Sequence, residues 1–220
     1  MEKPIYPSKN MRITQGYNTG SHIDSYAIDD AGIDSSISSI YAPFTGTIKK
    51  IYTQDANEVW LESVEPVEYP DGTKDYMTIL FAHANDVSNL FIGKRINQNE
   101  PFYTEGTKGK TTGNHCHIEC GQGKFTGQGW YKNSGGSYSI NNHKKPEECL
   151  WIDETINIID SNNINFKRIV SQEDNNSSET PDKPQNPTNN DSQKLIFICP
   201  KKDLYGIYLE EDDKLYLERN

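Results

Sequence analysis

The chain is short of apolar residues, of positive charge and of plausibly paired cysteines, and each shortage narrows what it can be. Only 33% of its 220 residues are hydrophobic, so a core is expected to occupy part of the chain. No run approaches the roughly 20 apolar residues that a bilayer-spanning helix needs. The longest, Leu195-Ile196-Phe197-Ile198-Cys199, is of strand length, and no membrane partner is expected. Lys and Arg number 22 against 32 Asp and Glu, a net charge of -10. That balance excludes nucleic acid as a partner, because phosphate binding needs a basic field, and it gives no attraction to an anionic surface. Four Cys are present without a Cys-x-x-Cys pair, so no structural zinc cluster is expected. Cys116 and Cys120 fall on one face of a strand about 13 Å apart, too far to bridge, and read as small buried hydrophobes. Cys149 and Cys199 can pair only if the tail folds back. Met1 to Pro7 lacks the apolar core of a secretory signal, so the chain is expected to stay in the cell until lysis or to leave inside a particle.

What the chain does contain is a succession of short strand patterns. Met11–Thr14, Ser25–Asp29, Gly46–Tyr52, Val59–Glu62, Met77–His83 and His115–Cys120 each alternate or are rich in β-branched residues. Turn residues such as Asn18-Thr19-Gly20 and Pro70-Asp71-Gly72 separate them. Helical patterns are confined to a turn or two at Asn85–Leu90 and Lys145–Leu150. The expected fold class is all-β, mainly antiparallel, with loops forming a groove and few short helices. Residues 1–160 read as one domain, and its share of the thirteen Tyr suits an open groove. Residues 161–193 read as a polar linker: 171–193 holds three Pro among Asn, Ser, Asp and Gln, with no other apolar residue, and cannot offset its ordering entropy. Residues 194–220 regain a strand pattern over Lys194–Cys199, Tyr205–Leu209 and Lys214–Glu218. This tail is too small to hold its own core, so it is expected to dock on the main domain, on copies of itself or on another protein's sheet edge.

The candidate chemistry lies in His115-Cys116-His117, which follows the Gly-rich loop 106–114. Side chains alternate along a strand, so His115, His117 and Glu119 share one face while Cys116, Ile118 and Cys120 take the other. Two imidazoles about 7 Å apart on one face can divide the work, one binding a metal and one handling protons beside it. His22 and His83 stand in strand-like contexts of their own.

Four blocks together resemble the lysostaphin-type zinc endopeptidases, which cut peptide bonds in bacterial peptidoglycan. They are Gly20-Ser21-His22 with Ala27-Ile28-Asp29; Ala42-Pro43-Phe44-Thr45-Gly46-Thr47-Ile48; Phe81-Ala82-His83; and the Gly-rich loop with His115-Cys116-His117-Ile118-Glu119. The likeness spans roughly residues 10–121. It implies one Zn2+ held by His22, Asp29 and His117, with His83 and His115 as the catalytic pair that does not bind metal. Two imidazoles and a carboxylate leave a fourth tetrahedral position open for water. Two departures stand out. The Asp follows the first His by seven residues instead of the usual four, and Asn114 stands where Pro is usual. Asp24 is nearer to His22, but Asp29 carries the apolar strand that should present a carboxylate inward.

Other residues are weaker candidates. Glu119 reads equally as an acceptor behind a ligand and as a structural carboxylate. Tyr17 reads as a packed residue or a groove residue, and Trp130 and Tyr131 as groove wall or core. His143, Asp30 and Asp34 read as solvated loop residues. The resemblance implies hydrolysis of a stem or cross-bridge peptide bond in peptidoglycan, the expected partner. The setting expected is a phage endolysin or virion-tail lysin, with tail proteins or self-assembly engaging residues 194–220. Two alternatives remain. A D-alanyl-D-alanine carboxypeptidase shares the seven-residue His-to-Asp spacing but needs a Glu-x-x-Trp-His block that is absent here. A non-catalytic tail or wall-binding relative would keep the fold without the chemistry.

Overall fold

The computed structural model describes residues 1–34 and 36–169, with the backbone of Gly206–Leu209 and Leu215–Glu218. It divides into two units, Met1–Gln172 and Glu173–Asn220. The first is nearly all β, as expected, and mostly antiparallel. Its nine-stranded sheet comprises β1 (Asn10–Gln15), β2 (Ile28–Asp30), β3 (Gly46–Tyr52), β4 (Glu58–Ser63), β5 (Met77–Ala82), β6 (Arg95–Ile96), β7 (Cys116–Gln122), β8 (His143–Lys144) and β9 (Asn157–Asp160). The spatial order is β9-β1-β2-β7-β5-β4-β3-β6. β8 pairs with the far half of β7, on the edge whose near half pairs with β2. The two short helices, Gly20–His22 and Pro146–Glu148, are single 3-10 turns.

Alternation gives the sheet two unlike faces. Val59 and Leu61 of β4, Met77, Ile79 and Phe81 of β5, and Cys116, Ile118 and Cys120 of β7 all enter the main core. There they meet Tyr6, Phe44, Tyr69 and Trp151. Each large side chain buried this way contributes on the order of 2 kcal/mol. The residues between them face the other way. Trp60 and Leu80 form a small second cluster with Ile140, with Trp130 and Phe125 packed against it. The registers line up the opposite face in transverse rows. Asp29, His117 and Ala82 lie side by side across β2, β7 and β5, and Glu119, Leu80, Trp60 and Lys50 form a second row.

The expected boundary at residue 160 falls inside the packed unit. Ile164 is buried, Phe166 packs edge-on against Tyr6 with ring centroids 5.3 Å apart, and Lys167–Arg168 pairs in parallel with Trp151–Ile152. Residues 161–169 are therefore not linker. Their apolar residues, alternating with polar ones too sparsely to read as a strand, cover the N-terminal segment. The second unit contains an antiparallel hairpin of Gly206–Leu209 with Leu215–Glu218. The expected linker over 171–193 and strand at Lys194–Cys199 lie outside the described residues. Cys116, Cys120 and Cys149 are buried and unbridged; Cys199, and with it the pairing to Cys149, lies outside the described residues.

Candidate metal centre

The sheet brings together His22, Asp29 and His117, whose ligand atoms all lie within 4.8 Å of one another. Asp29 and His117 are cross-strand neighbours on β2 and β7. His22 arrives from the 3-10 turn before β2 and is 3% exposed. Asp29 Oδ1 sits 3.2 Å from His22 Nε2 and 3.0 Å from His117 Nδ1. Ligands about 2.0–2.1 Å from a tetrahedral ion stand about 3.3 Å apart, so the two spacings fit a shared cation.

Ring protons sharpen that fit. His22 Nδ1 lies 3.2 Å from the Gly16 carbonyl, which only accepts, so Nδ1 carries the proton and Nε2 presents a lone pair to Asp29. His117 Nε2 lies 3.0 Å from Glu119 Oε1, so it is the donor there and Nδ1 faces Asp29. Lone pairs and a carboxylate converging on one point repel unless a cation sits between them. In the metal-free protein a proton does so. Burial lowers the pKa of His117, but Asp29 and Glu119 outweigh it and push the imidazole up to about 10. Burial likewise opposes ionisation of Asp29, yet the bond and the charge from His117 hold its carboxyl well below the usual range. A divalent metal would replace the proton on the same atoms, and this donor set suits zinc.

His83 and His115 stand beside this trio. Their ring centroids are 4.6 Å apart, and His83 lies 5.8 Å from His117. The Gly-rich loop orients both. His83 Nδ1 donates to the Lys108 carbonyl at 2.8 Å and His115 Nδ1 to the Gly113 carbonyl at 2.9 Å. Each is left with Nε2 free to take or give a proton, and His115 Nε2 is 3.7 Å from Asp29 Oδ1. Burial pushes the His83 pKa down to about 4; the Lys108 carbonyl opposes this, while His117 and His115 add to it. The loop is closed by reciprocal backbone bonds between Gly106 and His115, at 3.0 and 3.1 Å. It reaches His83 through the Lys108 amide, 3.0 Å from the His83 carbonyl. A Cβ on Gly106 would collide with that carbonyl, so only glycine permits the approach. His83 itself has φ +84, a costly conformation for a residue with a Cβ.

The remaining candidates sort by contact. Glu119 is 4% exposed and also accepts the Ile140 amide at 2.6 Å. Tyr17 turns from the trio and donates to Glu147 at 2.7 Å. Asp24 accepts a hydroxyl bond from Ser134 at 3.2 Å. Trp130 lines a groove and Tyr131 is bonded to His143 Nε2 at 3.0 Å. Two expectations are corrected. Asp30 is no loop carboxylate: it is 2% exposed at the end of β2, accepting the Tyr6 hydroxyl at 2.6 Å and the Arg12 amide at 3.1 Å. His143 is half-buried and stacked on Tyr26 at 4.6 Å. Asp34 is an exposed loop residue, bonded to Ser36. Sequence reading missed Glu58, whose place in the groove depends on strand register.

No family model matches the chain. Over 129 residues it is 32% identical to Morphogenesis protein 1 of Bacillus phage B103, a match covering 58% of this chain and 34% of that protein. The chain thus spans about a third of that relative's length. Among solved structures, it resembles the catalytic domain of lysostaphin from Staphylococcus simulans at 17% identity and a TM-score of 0.38, covering 52% of this chain and 80% of that one. It resembles LytU at 19% identity and 0.42, covering 62% and 82%. The SpoIIQ–SpoIIIAH pore forming complex gives 18% and 0.45, covering 68% and 92%. Among the described residues, no helix is long and apolar enough to cross a membrane.

Proposed function

We propose that the first unit is a zinc-dependent endopeptidase that hydrolyses a peptide bond in bacterial peptidoglycan. The observation that carries this is the convergence of His22 Nε2, Asp29 Oδ1 and His117 Nδ1, with the other ring nitrogens turned to acceptors behind them. Bound there, zinc would supply water of lowered pKa and polarise a substrate carbonyl. The chain's own groups do the rest. His83, neutral at pH 7 and held through Nδ1, accepts a proton at Nε2. His115 is fixed by the Gly113 carbonyl in the same way and, when it carries a second proton on Nε2, donates it to the negative charge developing on the substrate oxygen. The relative, named a morphogenesis protein of a Bacillus phage, supports a phage setting for this activity.

The test is a pair of variants assayed on purified sacculi. His22→Ala should lose both zinc and hydrolysis. His115→Ala should keep zinc and lose at least a hundredfold in rate. Full activity in both variants would remove the assignment, and chromatography of the released muropeptides would identify the bond cut.

A further inference from the structure

The face that carries the metal centre continues across the sheet into a groove of about 570 Å³, which His83, His117 and Glu119 line at one end. Its floor follows the transverse rows. Asp29, His117 and Ala82 are cross-strand neighbours. One residue beyond the Val59–Phe81 pair, Glu58 occupies the next place in that row, with Tyr52 beside it. With neighbouring strands 4.7–4.9 Å apart, Glu58 stands about 10 Å from His117, and the small side chain between them, Ala82, leaves the way open. An extended peptide covers that distance in about three residues.

Glu58 is out of place there unless something pairs with it. It is half-buried, and among the described residues no ion pair or side-chain hydrogen bond reaches its carboxylate, whereas the neighbouring Glu62 has both Lys49 and the Phe125 amide. Lys50, the nearest lysine on the adjoining strand, is engaged elsewhere. It donates to the Gln128 carbonyl at 2.6 Å and lies over the rings of Trp60 and Trp130. Asp55 adds a second negative charge, and burial with that charge pushes the pKa of Glu58 up to about 7. The charges of Lys50 and His117 offset this only in part, and Lys110 lines the same groove without an ion pair to Glu58; a half-desolvated carboxylate with no direct partner is costly. Tyr138 and Tyr52 are exposed along the same groove, and aromatic rings attract cations, as Lys50 over the Tyr52 ring at 5.8 Å illustrates.

We propose that Glu58 is a specificity-determining residue that binds a primary ammonium of the substrate, such as the free side-chain amine of a diamino acid within about three residues of the scissile bond. The proposal rests on the endopeptidase reading for the identity of the substrate, but the recognition itself is a matter of charge in the groove.

The experiment uses two soluble stem peptides, one with its side-chain amine free and one with that amine acetylated. Binding is measured on the zinc-loaded His115→Ala protein, with and without Glu58→Gln, and cleavage on the protein with His115 intact. The free-amine peptide should bind about tenfold more tightly than its acetylated twin, and Glu58→Gln should bring that ratio close to one. Equal binding of the two peptides, or a ratio left unchanged by Glu58→Gln, would overturn the proposal. Amine-dependent binding without any cleavage would uphold the recognition and remove the hydrolase reading. Cleavage of both peptides at equal rates would do the reverse, and the loss of both binding and cleavage would remove both.

Discussion

Glu119 offers the sharpest test of how the centre is held. Its carboxylate takes two buried donors at once, His117 Nε2 at 3.0 Å and the Ile140 amide at 2.6 Å. Glu119→Ala orphans both. A buried donor without an acceptor costs about 1–3 kcal/mol, so the loss is about 2–6 kcal/mol, or roughly 5–20 °C in Tm for a domain of this size. Glu119→Gln keeps one acceptor oxygen but turns an NH2 group towards the other donor, and should lose about half as much. Zinc affinity should fall independently of stability. Without an acceptor on Nε2 the His117 ring is free to rotate and its Nδ1 is less basic, an effect worth about 10- to 100-fold in metal binding. Melting in chelator gives the stability of the metal-free protein, and competition with a chromogenic chelator gives the zinc affinity. A Glu119→Ala protein that binds zinc within twofold of the native value would refute the claim that Glu119 orients His117.

Other predictions rest on separate observations. Free zinc at a hundred times its Kd should stabilise the protein by about 2.7 kcal/mol, read as a Tm higher than in chelator; superimposable melts would count against the metal centre. His83 is held at φ +84, a strain of about 1–3 kcal/mol, so His83→Gly should be about 1 kcal/mol more stable in urea than His83→Ala, with hydrolysis lost in both. Equal stability of the two variants would show that no strain is stored there. Glu58, raised from 4.5 to about 7 chiefly by burial, holds a proton in the native state that the unfolded chain releases. Its contribution is full below pH 4.5 and lost as pH rises to 7. Discounted for partial exposure, native stability should drop over this window by up to about 2 kcal/mol relative to Glu58→Gln. Parallel pH profiles for the two proteins would contradict this.

How much of this was legible in the sequence depends on whether a feature is set along one strand or between strands. Alternation from Cys116 to Cys120 placed His117 and Glu119 on one face, and the sheet keeps that division, with Cys116, Ile118 and Cys120 in the core. The preference for Asp29 over Asp24 came from the apolar residues Ala27 and Ile28 ahead of it, and those residues are what bury β2. Asp30 shows the limit of that reasoning. Next to a candidate ligand it read as a loop carboxylate, because its partner Tyr6 lies 24 positions away and nothing local announces the contact. The end of the domain was misplaced for a similar reason: Ile164 and Phe166 sit in a polar stretch, and only their contacts with the N-terminal segment reveal them as packed. Glu58 was out of reach because its place beside the metal centre needs two successive registers, β7 on β5 and β5 on β4. A one-residue slip in either would turn it to the opposite face. The loop 106–114 was recognisable by composition, but its work lies in two backbone carbonyls, at Lys108 and Gly113, that fix the tautomers of His83 and His115. Backbone groups have no letter of their own in a sequence. The candidate ligands were therefore legible through the resemblance carried by four sequence blocks, whereas the protonation pattern that would suit them to a metal had to come from the fold.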